Sequence, residues 1–381
     1  MRAWQRMVFV SSLFTLTVAS ARAEDPTVLI GTAAPLTGPL SAFGQDAANG
    51  VIMAVKALNA EHAGIDGKPV LWKVDSEDDQ ADPKQATVVA QKFVDEKVNG
   101  VVGHLSSGCT YPASRIYDRA GIPEITPSST DPKIARQGFK TFFRMIANDD
   151  AIGAGLAQYA AHRLRLKTVA VIDDGTAYGQ GIAKVFSEDA KKDGLHVVDR
   201  EYTSDQATDF TAILTKVKAD RPALIFYGGG YTQAGPMLRQ MQQLGINSRF
   251  MGGDGICEAA LAKLAGPAVN GVICAEGGTP LKNMPGGQAW KTRYDKEFGA
   301  GAYQLFSPYA YDATMVLAHA MMKAKSADPK VYLPFIRTVD YDGVTKRDIR
   351  FTATGELVHP TITLSVFKDG QKEPLSVESV K

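Results

Sequence analysis

The sequence has little cysteine. Three of 381 residues, Cys109, Cys257 and Cys274, are too few for a disulfide scaffold. It has no C-x-x-C, no H-E-x-x-H and no Walker sequence, and its six histidines show no metal-ligand spacing. No metal and no cofactor are therefore expected. Charge of one sign is missing too. Lys+Arg number 42 against 41 Asp+Glu, with no basic block, so nothing electrostatic calls for a nucleic-acid partner. No run of about 20 apolar residues is present to span a membrane. Gly103-His-Leu-Ser106-Ser107-Gly108 lacks the spacing of a nucleophile elbow, and Gly179-Gln-Gly181 lacks the third glycine of a dinucleotide fingerprint. Glu77-Asp78-Asp79 with Asp82 lacks the alternating ligands of a calcium loop and reads as a solvated strand-to-helix loop. Together these absences point away from an enzyme.

What is present begins with an export signal. Arg2 and Arg6 precede a mostly apolar run from Met7 to Ala19, and Ala21-Arg22-Ala23 supplies an A-x-A site. Cleavage is expected after Ala23, so residues 1–23 are assigned to a signal peptide and the mature chain to the periplasm. Cleavage removes Arg2, Arg6 and Arg22 and no acid. The net charge then moves from +1 to −2, with 39 basic against 41 acidic residues.

Beyond the signal, short β-branched runs alternate with amphipathic segments. Val28-Leu29-Ile30, Val101-Val102, Thr168 to Ile172, Ala223 to Tyr227 and Gly271 to Cys274 read as strands buried on both faces. Between them, sets such as Val51, Val55, Leu58 and Ile182, Val185, Phe186 recur at helical spacing. The alternation implies an α/β architecture with doubly wound parallel sheets. The pattern leaves one series near Phe142-Phe143-Arg144 and restarts at Thr168. It shifts again near Gly277-Gly278-Thr279-Pro280, and Ile362 to Phe367 reads as a late strand that makes a further crossover.

Polar turns follow the strand ends, where open α/β sheets bind ligands. Ser106-Ser107-Gly108 and Ser128-Ser129-Thr130 lie in the first series. Asp173-Asp174 before Tyr178, Gly228-Gly229-Gly230 before Tyr231, and Gly252-Gly253 before Asp254 lie in the second. Five turns at one topological position favour a shared cleft.

These stretches carry a resemblance. Gly31 to Pro39 (with Pro35-Leu36-Thr37-Gly38), Asp82-Pro83-Lys84-Gln85-Ala86, Gly103-His104-Leu105, Pro112-Ala113-Ser114, Tyr178-Gly179-Gln180-Gly181, Tyr227-Gly228-Gly229 and Phe250-Met251-Gly252 resemble the periplasmic branched-chain amino-acid-binding proteins, the leucine/isoleucine/valine receptors of ABC importers. The resemblance runs from about Val28 to about Phe367. It implies a class I periplasmic-binding fold with two lobes joined by three hinge crossovers. Residues 24–144 with 277–361 are expected in one lobe, and 145–276 with 362–381 in the other. The implied function is binding of a free amino acid, foremost leucine, isoleucine or valine, by a monomer that docks on an inner-membrane ABC permease. A sensory module for another amino acid, an amide or urea, or a small aromatic acid is the alternative.

The resemblance also assigns ligand-facing residues. Ser107 and Thr130 would hold the carboxylate, with the carbonyl-bearing Ser128 and its neighbour Ser129 close by. Asp254 would grip the ammonium, Tyr178 and Tyr231 would close over the ligand, and Phe43 would face its side chain. The residue types fit independently: hydroxyls and helix N-termini suit an anion, an acid suits an ammonium, and aromatics wall an apolar pocket. Ser128 and Ser129 stand where the family often has small apolar residues, and Asp254 is one methylene shorter than the usual glutamate. The family's occasional disulfide is absent, because its positions are Ala81 and Ser106 here. Cys257 and Cys274 are a candidate pair, with two buried thiols as the alternative. Cys109 reads as a packing residue.

Overall fold

The computed structural model describes residues 25–379; the signal peptide read at 1–23 lies outside the described residues. The first series runs β1 (Thr27–Ala34), α1 (Ser41–Ala60), β2 (Leu71–Asp78), α2 (Pro83–Asp95), β3 (Gly100–Gly103), α3 (Ser107–Ala120), β4 (Glu124–Thr126), α4 (Lys133–Arg136) and β5 (Phe142–Arg144). The second runs α5 (Asp149–Gln158), β6 (Thr168–Asp173), α6 (Ala177–Lys192), β7 (His196–Tyr202), α7 (Thr211–Asp220), β8 (Leu224–Gly228), α8 (Tyr231–Gln243), β9 (Arg249–Gly252), α9 (Ala260–Ala265) and β10 (Ile273–Gly277). Then follow α10 (Gly287–Phe298), α11 (Ser307–Ala324), α12 (Pro329–Ile336), β11 (Thr361–Lys368) and β12 (Gln371–Ser379).

The strands form two sheets, ordered β2-β1-β3-β4-β5 and β12-β11-β10-β9-β8-β6-β7. All pairs in the first sheet are parallel, as are those from β7 to β10. β11 joins β10 antiparallel, and β12 pairs antiparallel with β11. The parallel expectation therefore gives way at this edge. The reason is local: Asp369 and Gly370 both take positive φ, at 50° and 75°, which is the two-residue hairpin turn that Asp-Gly favours. Helices cover both faces, so the strands read as unbroken apolar runs; β8 and β10 are buried throughout. α11, apolar nearly all round and buried from Ser307 to Ala318, lies against α1, β3 and α12. It belongs with the first sheet although it follows the second in sequence.

The chain passes between the sheets after β5, after β10 and before β11. These strands brace one another. The Arg144 amide donates to the Gly355 carbonyl at 2.9 Å, and the Thr363 hydroxyl to Gly278 at 2.7 Å. The Arg144 side chain is fully buried. It donates to the Ser129 and Asp131 carbonyls and pairs with Glu356 at 3.0 Å. Among the described residues no helix is long and apolar enough to cross a membrane.

Candidate functional site

On the first lobe, the turns after β3 and β4 are laced together. Thr126 donates to the His104 carbonyl at 2.8 Å. Ser128 donates to Leu105 at 2.9 Å, and Ser129 bonds the His104 and Leu105 carbonyls and the Thr110 hydroxyl. Both serine hydroxyls are thus engaged inside the lobe. His104 is itself a core histidine, held by Asp79 at 2.7 Å and by the Tyr117 hydroxyl at 3.1 Å. Asp79 is wholly buried, so the acidic loop is not simply solvated as its composition suggested. Its other members do separate work: Glu77 pairs with Lys92, Asp78 accepts from the Leu36 amide, and Asp82 caps α2.

α3 opens at this turn without a side-chain cap, unlike α2, α5 and α6, which Asp82, Asn148 and Thr176 cap. α8, opening from the other lobe at Tyr231, also lacks one. Uncapped N-termini leave amide donors for an anion. Ser107 sits in the first turn of α3, buried, and its Oγ accepts from the Asp131 amide at 3.2 Å. Thr130 Oγ1, in the turn after β4, is buried. Cys109 is buried one turn into α3, where burial pushes its thiol up rather than acidifying it.

The second lobe presents an acid. The Tyr178 phenol donates to Asp254 Oδ1 at 2.6 Å and accepts from the Gly255 amide at 2.9 Å. The turn must approach the ring closely: a Cβ at Gly253 would lie 2.7 Å from the phenol oxygen, and one at Gly255 2.5 Å from the Gly229 carbonyl. Burial pushes the Asp254 carboxyl up to about 6, against the hydrogen bond from Tyr178, and Glu276 pushes the same way. The turn is anchored from behind. The Cys257 and Cys274 sulfurs are bonded, which ties it to β10, and Lys372 on β12 bridges the Cys257 carbonyl and Glu276 at 2.7 Å each. Glu258 next to it is pushed up to about 8, chiefly by burial.

An aromatic wall closes the space between the lobes. Phe43 on α1 meets Tyr231 on α8 edge-on, ring centres 5.5 Å apart, and packs against Phe306 at 5.3 Å. Phe43 and Tyr231 belong to opposite lobes, so the lobes are closed on one another. Asp46, one turn after Phe43, sets the third ring. Its buried carboxylate accepts from the amides of Leu305, Phe306 and Ser307 at 2.7–3.0 Å and so pins the start of α11 beside α1.

The fold therefore bonds Tyr178 to Asp254 and sets Phe43 edge-on to Tyr231, and it sets Ser107 and Thr130 around the turns of the first lobe. Phe306 and Asp149 were not singled out from the sequence. Phe306 follows no strand end, and Asp149 reads as an ordinary first-turn acid. A cavity of about 780 Å³ on the hinge side, lined by Asn148, Asp150, Glu356, His359 and Glu378 among others, includes none of the eight assigned residues. Among the described residues no cluster of His, Cys, Asp and Glu has metal-binding geometry.

Known proteins share this organisation. The periplasmic binding protein family matches residues 27–371. An amino acid binding protein of Pseudomonas aeruginosa is 38% identical over 307 residues, 79% of this chain and 80% of its own. A Leu/Ile/Val-binding protein homolog of Brucella suis is 36% identical over 303 residues, 80% of each chain. A branched-chain amino acid transporter substrate-binding protein of Streptococcus pneumoniae, solved with isoleucine, superposes with a TM-score of 0.82 at 28% identity, covering 93% of this chain and 99% of that one. The chain belongs to the periplasmic binding protein family of solute receptors, among the homologues of the branched-chain amino-acid receptors of ABC transporters.

Proposed function

We propose that this protein is exported, loses residues 1–23 after Ala23, and works in the periplasm as a monomeric, non-enzymatic receptor for a free α-amino acid, foremost leucine, isoleucine or valine. It delivers its ligand to an inner-membrane ABC permease. The observation that carries this reading is the pairing across the cleft. An uncapped helix N-terminus with Ser107 and the buried Thr130 hydroxyl lies on one lobe, and the buried Tyr178–Asp254 pair on the other. An α-amino acid matches both ends: its carboxylate takes the amides and hydroxyls, and its ammonium takes Asp254. Phe43, Tyr231 and Phe306 leave an apolar, aromatic-walled place for the side chain. Contacts from both lobes exist together only when the lobes close, so ligand binding favours the closed form, the one a permease distinguishes. Residues 24–144 with 277–361 move as one body and 145–276 with 362–381 as the other.

The test is calorimetric titration of the mature protein with the twenty amino acids and with small amides and aromatic acids. Saturable binding of a branched aliphatic amino acid is expected. Binding of an amide or aromatic acid in preference to every amino acid would overturn the reading.

A further inference from the structure

The turn that carries Asp254 is held from the C-terminal hairpin. Lys372 on β12 donates to the Cys257 carbonyl and to Glu276 Oε2, at 2.7 Å each. Cys257 closes the turn, its amide donating to the Asp254 carbonyl at 2.9 Å. Its sulfur is bonded to Cys274 on β10, and both cysteines are fully buried. Gly252 and Cys274 are partners in the parallel ladder of β9 and β10, and Asp254 and Glu276 each stand two residues beyond that pair. A parallel register keeps such positions side by side. Two acids therefore sit at neighbouring strand ends, Asp254 4% and Glu276 6% exposed, and Lys372 reaches in beside them from the sheet edge.

Charge decides what this arrangement does. Glu276 pushes the Asp254 carboxyl up, and a cation 2.7 Å from Glu276 opposes that push. The other groups here hold their charge between pH 4.5 and 7.5. Tyr178 on α6 stays protonated, because burial and the acids around it push its phenol up. Tyr303 and Tyr309, which feel Glu276, stay protonated for the same reason. Glu258, next to Cys257 and with Asp46 of α1 beyond it, is pushed up to about 8 by burial and stays neutral. Asp149 on α5 faces Asp254 from the other side, with Asp131 and Arg144 around it. It touches neither Glu276 nor Lys372 in any recorded bond, so changes at that pair are read apart from it.

We infer that Lys372 is a positioning residue for the acid that meets the ligand's ammonium: it clamps the Asp254 turn to β10 and offsets the charge of Glu276 beside it. This inference rests on the amino-acid reading above and extends it from the ligand's contacts to the hairpin behind them. The consequence is the pH range of the receptor. With Glu276 offset, Asp254 keeps its negative charge, and with it the ligand, further into acid. The antiparallel edge gains a task as well. β11 and β12 bring Lys372 back to the face of β10 from which both Cys274 and Glu276 project.

The experiment uses the mature protein. Titration of wild type with the twenty amino acids at pH 7.5 comes first, and binding of none of them removes the parent reading. With the best ligand, affinity is then followed from pH 7.5 to 4.5. Each profile is read against that protein's own affinity at pH 7.5, so a uniform loss does not enter. Glu276→Gln leaves the Lys372 ammonium without its acid, and the fall of affinity in acid is expected about half a pH unit or more below that of wild type. Adding Lys372→Gln removes that ammonium and is expected to bring the fall back up, close to the wild-type position. A merely structural role gives no shift that one substitution causes and the next reverses. A Glu276→Gln profile that coincides with wild type, or a double variant that coincides with Glu276→Gln, overturns the role of Lys372 and leaves the parent reading standing. Melting temperatures show which variants fold, and Glu276→Met, which removes the same charge, serves if the glutamine variant does not.

Discussion

Acid should weaken ligand binding, and the extent follows from Asp254. In the closed, ligand-free protein its carboxyl titrates at about 6, raised chiefly by burial from an ordinary value of 3.8. A bound ammonium favours the ionised form and draws the value back to the ordinary range or below. For an acid with this pattern, affinity is full above the ligand-free pKa and is lost as pH falls through it. The window is thus about pH 6 down to about pH 4. One pKa unit corresponds to about 1.4 kcal/mol, so a return of about two units gives about 3 kcal/mol, or roughly a hundredfold between pH 7.5 and the acid plateau. At pH 5 the loss is about tenfold. Lobe opening hydrates the acid and lowers its ligand-free pKa, so these figures are upper limits.

The groups facing Asp254 from neighbouring elements are Tyr178 on α6, Asp149 on α5 and Glu276 on β10. Tyr178 stays neutral throughout, since burial and the two acids push it further up. Glu276 is paired with Lys372. Asp149 is held well above the ordinary carboxylate range, chiefly by burial, and Asp254 pushes the same way. Calorimetry from pH 8 to 4.5 measures the profile, with Asp254→Asn as the control expected to flatten the Asp254 part of it. An affinity constant within twofold from pH 7.5 to 4.5 refutes the ion-pair reasoning. The sign reverses for stability without ligand. The unfolded chain ionises Asp254 first, so the acid destabilises the closed form as pH rises from about 4 to 6. Asp254→Asn should then melt no lower than wild type at pH 7.

Three other outcomes are expected. Replacing Cys257 and Cys274 by serine reopens a loop of 17 residues, worth about 3 kcal/mol by chain entropy, or a fall of about 4 °C in melting temperature for a chain this size; scanning calorimetry with and without reductant measures it, and an unchanged midpoint means the link adds nothing. Phe306→Ala removes one ring of the wall, about 1.5–3 kcal/mol of apolar burial, so leucine binding should fall roughly tenfold to a hundredfold while glycine binding barely changes; equal losses for both would place Phe306 outside the side-chain pocket. Arg144→Met leaves Glu356 unpaired and two carbonyls without their donor, at a cost of about 3 kcal/mol, the low end for a buried pair because Glu356 is partly hydrated; urea unfolding reads this, and full stability in the variant shows the hinge does not need the guanidinium.

The parts legible in the sequence were those carried by short-range pattern. Apolar runs such as Thr168 to Ile172 and the polar turns after them locate β6 and the α6 N-terminus without any knowledge of the partner strands. The Asp369-Gly370 hairpin is legible on the same terms, because both residues tolerate positive φ. Other features depend on where distant segments meet. Asp79 and His104 are remote in sequence, and composition alone makes an acid-rich loop look solvated; only the fold shows one carboxylate turned inward to a ring nitrogen. Ser128 and Ser129 show what their hydroxyls do only once the β3 and β4 turns lie side by side, where they donate to the Leu105 and His104 carbonyls. Phe306 has a place in the wall only because Asp46 on α1 collects the amides that start α11. Asp149 shows the limit most clearly. In Asn148-Asp149-Asp150 it has every local reason to be a helix-capping acid, and Asn148 takes that role instead. Its environment comes from other segments: burial raises its carboxyl, Asp254 pushes the same way, and Thr130 and Arg144 oppose it. A one-dimensional reading can rank residue types by what they hold, but the charge around a buried acid is a sum over segments that only the fold brings together.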